Sequence, residues 1–146
     1  MSASTDEGIR IGQLTIRYLL EGGKTRGSLA MFEFEVGAGA KVPVAHSHDG
    51  YEETCYGLEG VLTFTIEGQR HEIGPGEVAF IPRGAVHRFD NFSGAPARAL
   101  AVITPGILSP DFFREMAAVV KAAAGGPPDH AALAAVMKRH GLTPAP

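Results

Sequence analysis

Gly76-Glu77-Val78-Ala79-Phe80-Ile81-Pro82-Arg83-Gly84-Ala85-Val86-His87-Arg88-Phe89-Asp90-Asn91 is a run of short apolar segments punctuated by Gly and Pro, and it carries one histidine, His87. Upstream, Ala45-His46-Ser47-His48-Asp49-Gly50-Tyr51-Glu52-Glu53 carries two more histidines and adjacent carboxylates. His46 and His48 stand at i, i+2, so on a strand both imidazoles leave the same face. A carboxylate about one strand away and a third histidine from a distant strand could join them once a sheet closes. Such a mixed nitrogen and oxygen donor set suits a divalent transition metal with coordination positions left open.

Working outward from this stretch, residues 28–36 give the clearest alternation. Ala30, Phe32, Phe34 and Val36 share one face and Met31, Glu33 and Glu35 the other, and the aromatic face is expected inside. Ile11, Leu14, Ile16 and Tyr18 alternate in the same way before the turn Glu21-Gly22-Gly23-Lys24. Gly37-Ala38-Gly39 ends the aromatic strand, and Val42-Pro43-Val44 is extended but proline-broken, an edge or strand-entry position. Further strands are expected over 53–58, 61–66, 70–73, 78–81, 86–92 and 97–104, with turns at Glu59-Gly60, Glu67-Gly68-Gln69, Gly74-Pro75-Gly76 and Thr104-Pro105-Gly106. Eight or more short strands separated by turn chemistry make an antiparallel sandwich or barrel.

The period then changes. Phe112, Phe113, Met116, Ala117 and Val120 recur at helical spacing, with Ser109 as N-cap and Pro110 at the first position, which predicts a helix over 109–124. Gly125-Gly126-Pro127-Pro128 breaks it. Asp129 caps a second helix with Leu133, Val136, Met137 and His140 on one face, ended by Gly141 in a left-handed cap. The chain thus divides into a tail over 1–8, a barrel over 9–106 and a helical extension over 107–146 that packs on the barrel or on a dimer partner.

Composition narrows the function classes. The 146 residues suit one domain, and 45% hydrophobic with 20% charged residues is an ordinary globular balance. A net charge of -3 with no basic cluster leaves no electrostatic footprint for nucleic acid. No apolar run is long enough for a membrane span, and residues 1–8 do not read as a signal peptide, so a cytoplasmic location is expected. One cysteine, Cys55, excludes an internal disulfide.

The two histidine segments resemble the motifs of the cupin family. The first reads His46-x-His48, four residues, Glu53, six residues, Gly60; the second reads Gly76, five residues, Pro82-x-Gly84, two residues, His87, three residues, Asn91. One departure is the leading glycine of the first motif, since Ala40 occupies its position and Gly39 stands one residue earlier. The resemblance covers about 11–104. It implies an all-β jelly-roll barrel, a double-stranded β-helix, here with two C-terminal α-helices, and the metal ligands His46, His48, Glu53 and His87.

Glu53 is preferred to Glu52 because it keeps the spacing to Gly60 and because strand parity turns Glu52 outward. Cys55 shares the parity of Glu53, either as a small buried residue or as part of a substrate pocket. Phe32, Phe34, Phe64 and Phe89 are candidates for the pocket wall as well as for ordinary core. His71 is read as a surface residue, Arg83 as an exposed turn residue or a steering cation, Phe112 and Phe113 as a packing stripe, and Asn91 as structural.

The segment from Thr104-Pro105-Gly106 to Phe112-Phe113-Arg114-Glu115 is similar to that of small bacterial cupins resembling quercetin dioxygenase. That implies an oxygenase acting on a small aromatic or enolisable substrate, with Glu53 as proton acceptor and Fe, Mn, Ni or Co, with Zn as a further option, as the metal. The alternatives are a non-oxidative isomerase, lyase or decarboxylase, and a non-catalytic small-molecule-binding barrel. A homodimer is expected from the need to cover sheet edges and helix stripes.

Overall fold

The computed structural model describes residues 8–40 and 44–145. The expected tail, Gly8 apart, and the Val42-Pro43 step lie outside the described residues. Eleven strands and two helices follow in chain order: β1 (Ile9–Ile11), β2 (Leu14–Leu20), β3 (Ala30–Val36), β4 (His46–His48), β5 (Glu52–Glu59), β6 (Leu62–Ile66), β7 (Gln69–Ile73), β8 (Val78–Ile81), β9 (His87–Asp90), β10 (Ala97–Thr104), α1 (Pro110–Ala122), α2 (His130–Arg139) and β11 (Leu142–Pro144). A 3-10 turn, Gly22–Lys24, follows β2. The pairs are antiparallel and form two sheets, one ordered β1-β2-β3-β10-β5-β8 and the other β11-β4-β9-β6-β7. From β3 to β10 the chain changes sheet at every connection except the β6–β7 hairpin. This is the jelly-roll arrangement, with strands distant in sequence brought side by side.

Alternation along β3 sets the interior. Ala30, Phe32, Phe34 and Val36 are buried and Met31, Glu33 and Glu35 face out. Burying a ring such as Phe34, 2% exposed, contributes on the order of 2–3 kcal/mol. β10 slots between β3 and β5, matching Ala99 to Phe34 and Ala101 to Phe32 and Cys55. Small alanines beside large aromatics on the same inner face leave room for the rings to pack. Gly57 is required by close approach, since a Cβ there would lie 2.1 Å from the Gly74 carbonyl oxygen.

The strand expectations hold with small shifts: 53–58 extends to Glu52–Glu59, and 86–92 contracts to His87–Asp90 because Asn91 leaves the ladder. Asn91 is 1% exposed. Its Nδ2 donates to the carbonyls of Val36, Gly37 and Ala95 at 3.1, 3.2 and 2.8 Å, and its Oδ1 accepts from the Ser93 backbone and hydroxyl. It therefore ties the turn after β9 to the end of β3.

At the C-terminal side, α1 begins after Ser109 as expected, but the serine side chain makes no capping bond; Pro110 at the first position needs no donor satisfied. Asp129 does cap α2, accepting from Ala132 N at 3.1 Å. Gly141 takes φ +80° as read. The residues after it then form a strand the sequence did not announce: β11 pairs with β4, placing Leu142 opposite His48 and Pro144 opposite His46. No described helix is long and apolar enough to cross a membrane.

Asn91→Ala should cost about 3 kcal/mol, because three buried or part-buried carbonyls lose their donor. Urea unfolding of the purified variant checks this, with a lower midpoint expected at unchanged slope.

Candidate metal centre

Strand pairing brings the histidines together. β4 is three residues long, so His46 and His48 sit at its two ends with both rings on one face. β9 lies beside it, with His87 the register partner of His46. The turn before β9 is fixed by the Gly84 N–H, which donates to the His48 carbonyl at 2.8 Å from a residue at φ +83°. Glycine adopts that backbone without strain. The ring centroids are 4.6 Å apart for His46–His87, 4.4 Å for His48–His87 and 5.1 Å for His46–His48. One nitrogen from each of the three lies within 4.8 Å of the others.

The rings are held neutral. Burial is the largest cause for each: it lowers the His48 pKa to about 2, helped by the neighbouring His87 and His46, and that of His87 to about 4, helped by His46. Burial also lowers that of His46. Two tautomers are preset. His46 Nδ1 is 3.0 Å from the Val44 carbonyl and His87 Nδ1 is 3.0 Å from the Ala85 carbonyl. A carbonyl only accepts, so Nδ1 carries the proton and Nε2 keeps a free lone pair. In His48 the Nδ1 is buried with no hydrogen-bond partner, so the protein alone leaves this ring incompletely satisfied. Neutral imidazoles with converging lone pairs are the donors a divalent transition metal requires, and the site fits one.

Glu53 enters from the opposite sheet. Its Oε1 is 3.6 Å from His48 Nε2, longer than a hydrogen bond, and its Oε2 accepts from the Cys55 thiol at 3.1 Å. Burial raises its pKa to about 7, against the lowering effect of the thiol. Glu52 points outward and forms a two-bond ion pair with Arg83, in which Arg83 Nη2 donates to Glu52 Oε1 at 3.1 Å. Glu52 thus faces away from the histidines and Glu53 toward them, and Arg83 is an exposed turn residue paired with Glu52. Cys55 is fully buried and is not a cavity-lining residue; it stands behind Glu53, and burial pushes its thiol pKa up.

An apolar cavity opens on the histidines, offering about 80 Å³ to the centres of water-sized molecules. Phe32, Phe34, Phe64 and Phe89 line it, as do Glu53 and all three histidines. Phe112 and Phe113, read from sequence as a packing stripe, also line it, because α1 packs against β1 and α2 with this stripe turned toward the cavity. His71 is exposed as expected. Sequence reading passed over Tyr51, which is fully buried, stacks on His48 at 4.3 Å and has a hydroxyl with no hydrogen-bond partner. Its place two residues before Glu53, with the same parity, was the available signal. It also passed over Met116, Met137 and Leu142 as cavity residues.

A family model described as a cupin domain matches residues 31–103. Quercetin 2,3-dioxygenase of Bacillus subtilis (strain 168) is 33% identical over 73 residues, which is 50% of this chain and 21% of that protein. The chain therefore spans about a fifth of that relative's length. Among solved structures, KdgF from Halomonas sp. superposes with a TM-score of 0.63 at 15% identity, covering 72% of this chain and 90% of that one. A protein described as a predicted oxalate decarboxylase, from Thermotoga maritima, has a TM-score of 0.59 at 26% identity, covering 63% and 80%.

In the presence of a chelator, stability should fall as pH drops from about 7 to 5. The histidine pKa values lie below the ordinary 6.5 in the folded state, so the unfolded chain gains protons that the folded chain refuses. Glu53, raised from 4.5 to about 7, works the other way in this window, but one carboxyl is outnumbered by three imidazoles. Urea midpoints across this range check the sign, and a flat or rising series contradicts it. At neutral pH, a divalent metal at about a hundred times its Kd should add about 2.7 kcal/mol, and His87→Ala should abolish that gain.

Proposed function

The chain belongs to the cupin family, and from that premise we propose that it is a metal-dependent oxygenase acting on a small, neutral aromatic or enolisable substrate. The observation that carries this reading is the contrast inside the cavity. One end holds three neutral imidazoles and a carboxylate, while most of the wall is aliphatic or aromatic. Arg88 is the lining residue with a permanent positive charge, and Asp90 already neutralises it through bonds of 3.0 and 2.7 Å. Beyond a metal held by the histidines, a buried carboxylate or phosphate substrate would need a second cation to pair its remaining charge. An apolar molecule with one enol or phenol oxygen needs none.

His46, His48 and His87 are the proposed ligands, with Glu53 beside them as the fourth. A bound Fe, Mn, Ni or Co ion, or Zn, would supply Lewis acidity at the substrate oxygen, making its proton easier to remove. Glu53 is placed to take that proton: the Cys55 thiol occupies Oε2, leaving Oε1 facing the histidines. Its burial in an apolar wall favours the protonated form, the direction a proton acceptor requires. The surrounding aromatic rings exclude water, so the deprotonated carbon framework is exposed to dioxygen rather than to solvent protons.

The likeness to the dioxygenase supports the oxidative reading, and the likeness to the described decarboxylase favours its non-oxidative rival. Oxalate carries two charges, however, and apart from the metal the apolar wall offers them only Arg88, which Asp90 already pairs. Oxygen-electrode measurements on the metal-loaded protein with small 1,3-dicarbonyl compounds such as acetylacetone decide between the two. Metal-dependent oxygen consumption is expected. Substrate conversion without it would replace the reading by an isomerase, lyase or decarboxylase, and a protein that retains no metal would be a binding barrel. Glu53→Gln should lower turnover at least about 100-fold while the three histidines remain.

A further inference from the structure

Part of the cavity wall comes from a segment beyond the cupin match at 31–103: Phe112, Phe113 and Met116 of α1, Met137 of α2 and Leu142 of β11. This wall is fastened at several points. The Phe113 ring meets Phe32 edge-on at 5.2 Å, and Tyr18, stacked on Phe32 at 5.1 Å, donates its hydroxyl to the Leu108 carbonyl at 2.9 Å. Glu115 joins the two helices, accepting from Arg139 at 2.6 Å and lying 3.0 Å from His140 Nε2. A wall held this way does not yield cheaply to a bulky ligand, because packed interiors tolerate added volume poorly.

The space it leaves is small. The cavity measures about 80 Å³, whereas an engineered apolar cavity of about 150 Å³ takes up benzene. We propose that the C-terminal helices, through Phe113 and Met137, are the specificity-determining wall of this site, restricting its substrate to a neutral compound no larger than about one ring. This rests on the reading of the cavity as the substrate site, and it deepens that reading by excluding multi-ring substrates in favour of short-chain or monocyclic ones. Both residues are well buried, at 8% and 1% exposure, so truncating either removes wall rather than surface.

Binding tests this without turnover. Acetylacetone and dibenzoylmethane present the same enolisable group and differ in bulk. Their affinities for the full chain are measured by calorimetry under argon, with and without metal. The wild type should bind acetylacetone at least about tenfold more tightly than dibenzoylmethane, and Phe113→Ala or Met137→Ala should gain at least about tenfold for the larger compound, the scale on which small volume changes in apolar pockets discriminate. Circular dichroism verifies folding, and Phe113→Leu, expected to shift the ratio in the same direction, serves if an alanine variant fails to fold. Equal affinity of the wild type for both compounds, or folded variants that keep the wild-type ratio, overturns the proposal. A size switch without oxygen consumption would leave this inference standing and remove only the oxygenase reading.

Discussion

Three imidazoles can share a largely water-excluded space only if they stay unprotonated, and this constraint organises the barrel. Charging one ring would cost the desolvation of a cation, and charging a second would add repulsion between the two. The apolar wall that surrounds the histidines is therefore also what keeps their lone pairs available. Backbone carbonyls at Val44 and Ala85 then choose which nitrogen holds the proton. Sheet order, the Gly84 turn and the Asn91 bonds serve to keep β4 and β9 in the register where these conditions meet.

Much of this was legible in the sequence because the relevant signals are local. The parity of Ala30, Phe32, Phe34 and Val36 named the buried face before any pairing was known. The i, i+2 placement of His46 and His48 and the opposite parities of Glu52 and Glu53 follow from the pleat alone. The spacing around Gly84, His87 and Asn91 carried the family resemblance, and with it the jelly roll.

Other features depend on pairings that no local pattern encodes. β11 has three residues, one of them Pro144, and no periodicity; it is a strand because β4 offers it an edge. The apolar stripe of Phe112, Phe113 and Met116 told that α1 is covered but not by what, and a barrel opening looks the same in sequence as any other core. Tyr51 was obscured by the Asp49-Gly50 turn beside it. Ser109 failed as a side-chain cap for the opposite reason: the local signal was present, but the Phe112 N–H is met by the Ser109 backbone carbonyl instead of its hydroxyl.

The β4–β11 ladder has a consequence for biosynthesis. Thr143 reaches back 94 residues to bond Asp49, and Leu142 lies opposite His48. A ribosome delivers the histidine-bearing strand long before the segment that flanks it on the outer side. Until residue 144 has emerged, that strand keeps a bare edge. The pairing that flanks His46 and His48 is consequently added to the barrel after the strands between residues 52 and 104 have been made, so the surroundings of these two rings mature later than the rings' own strand.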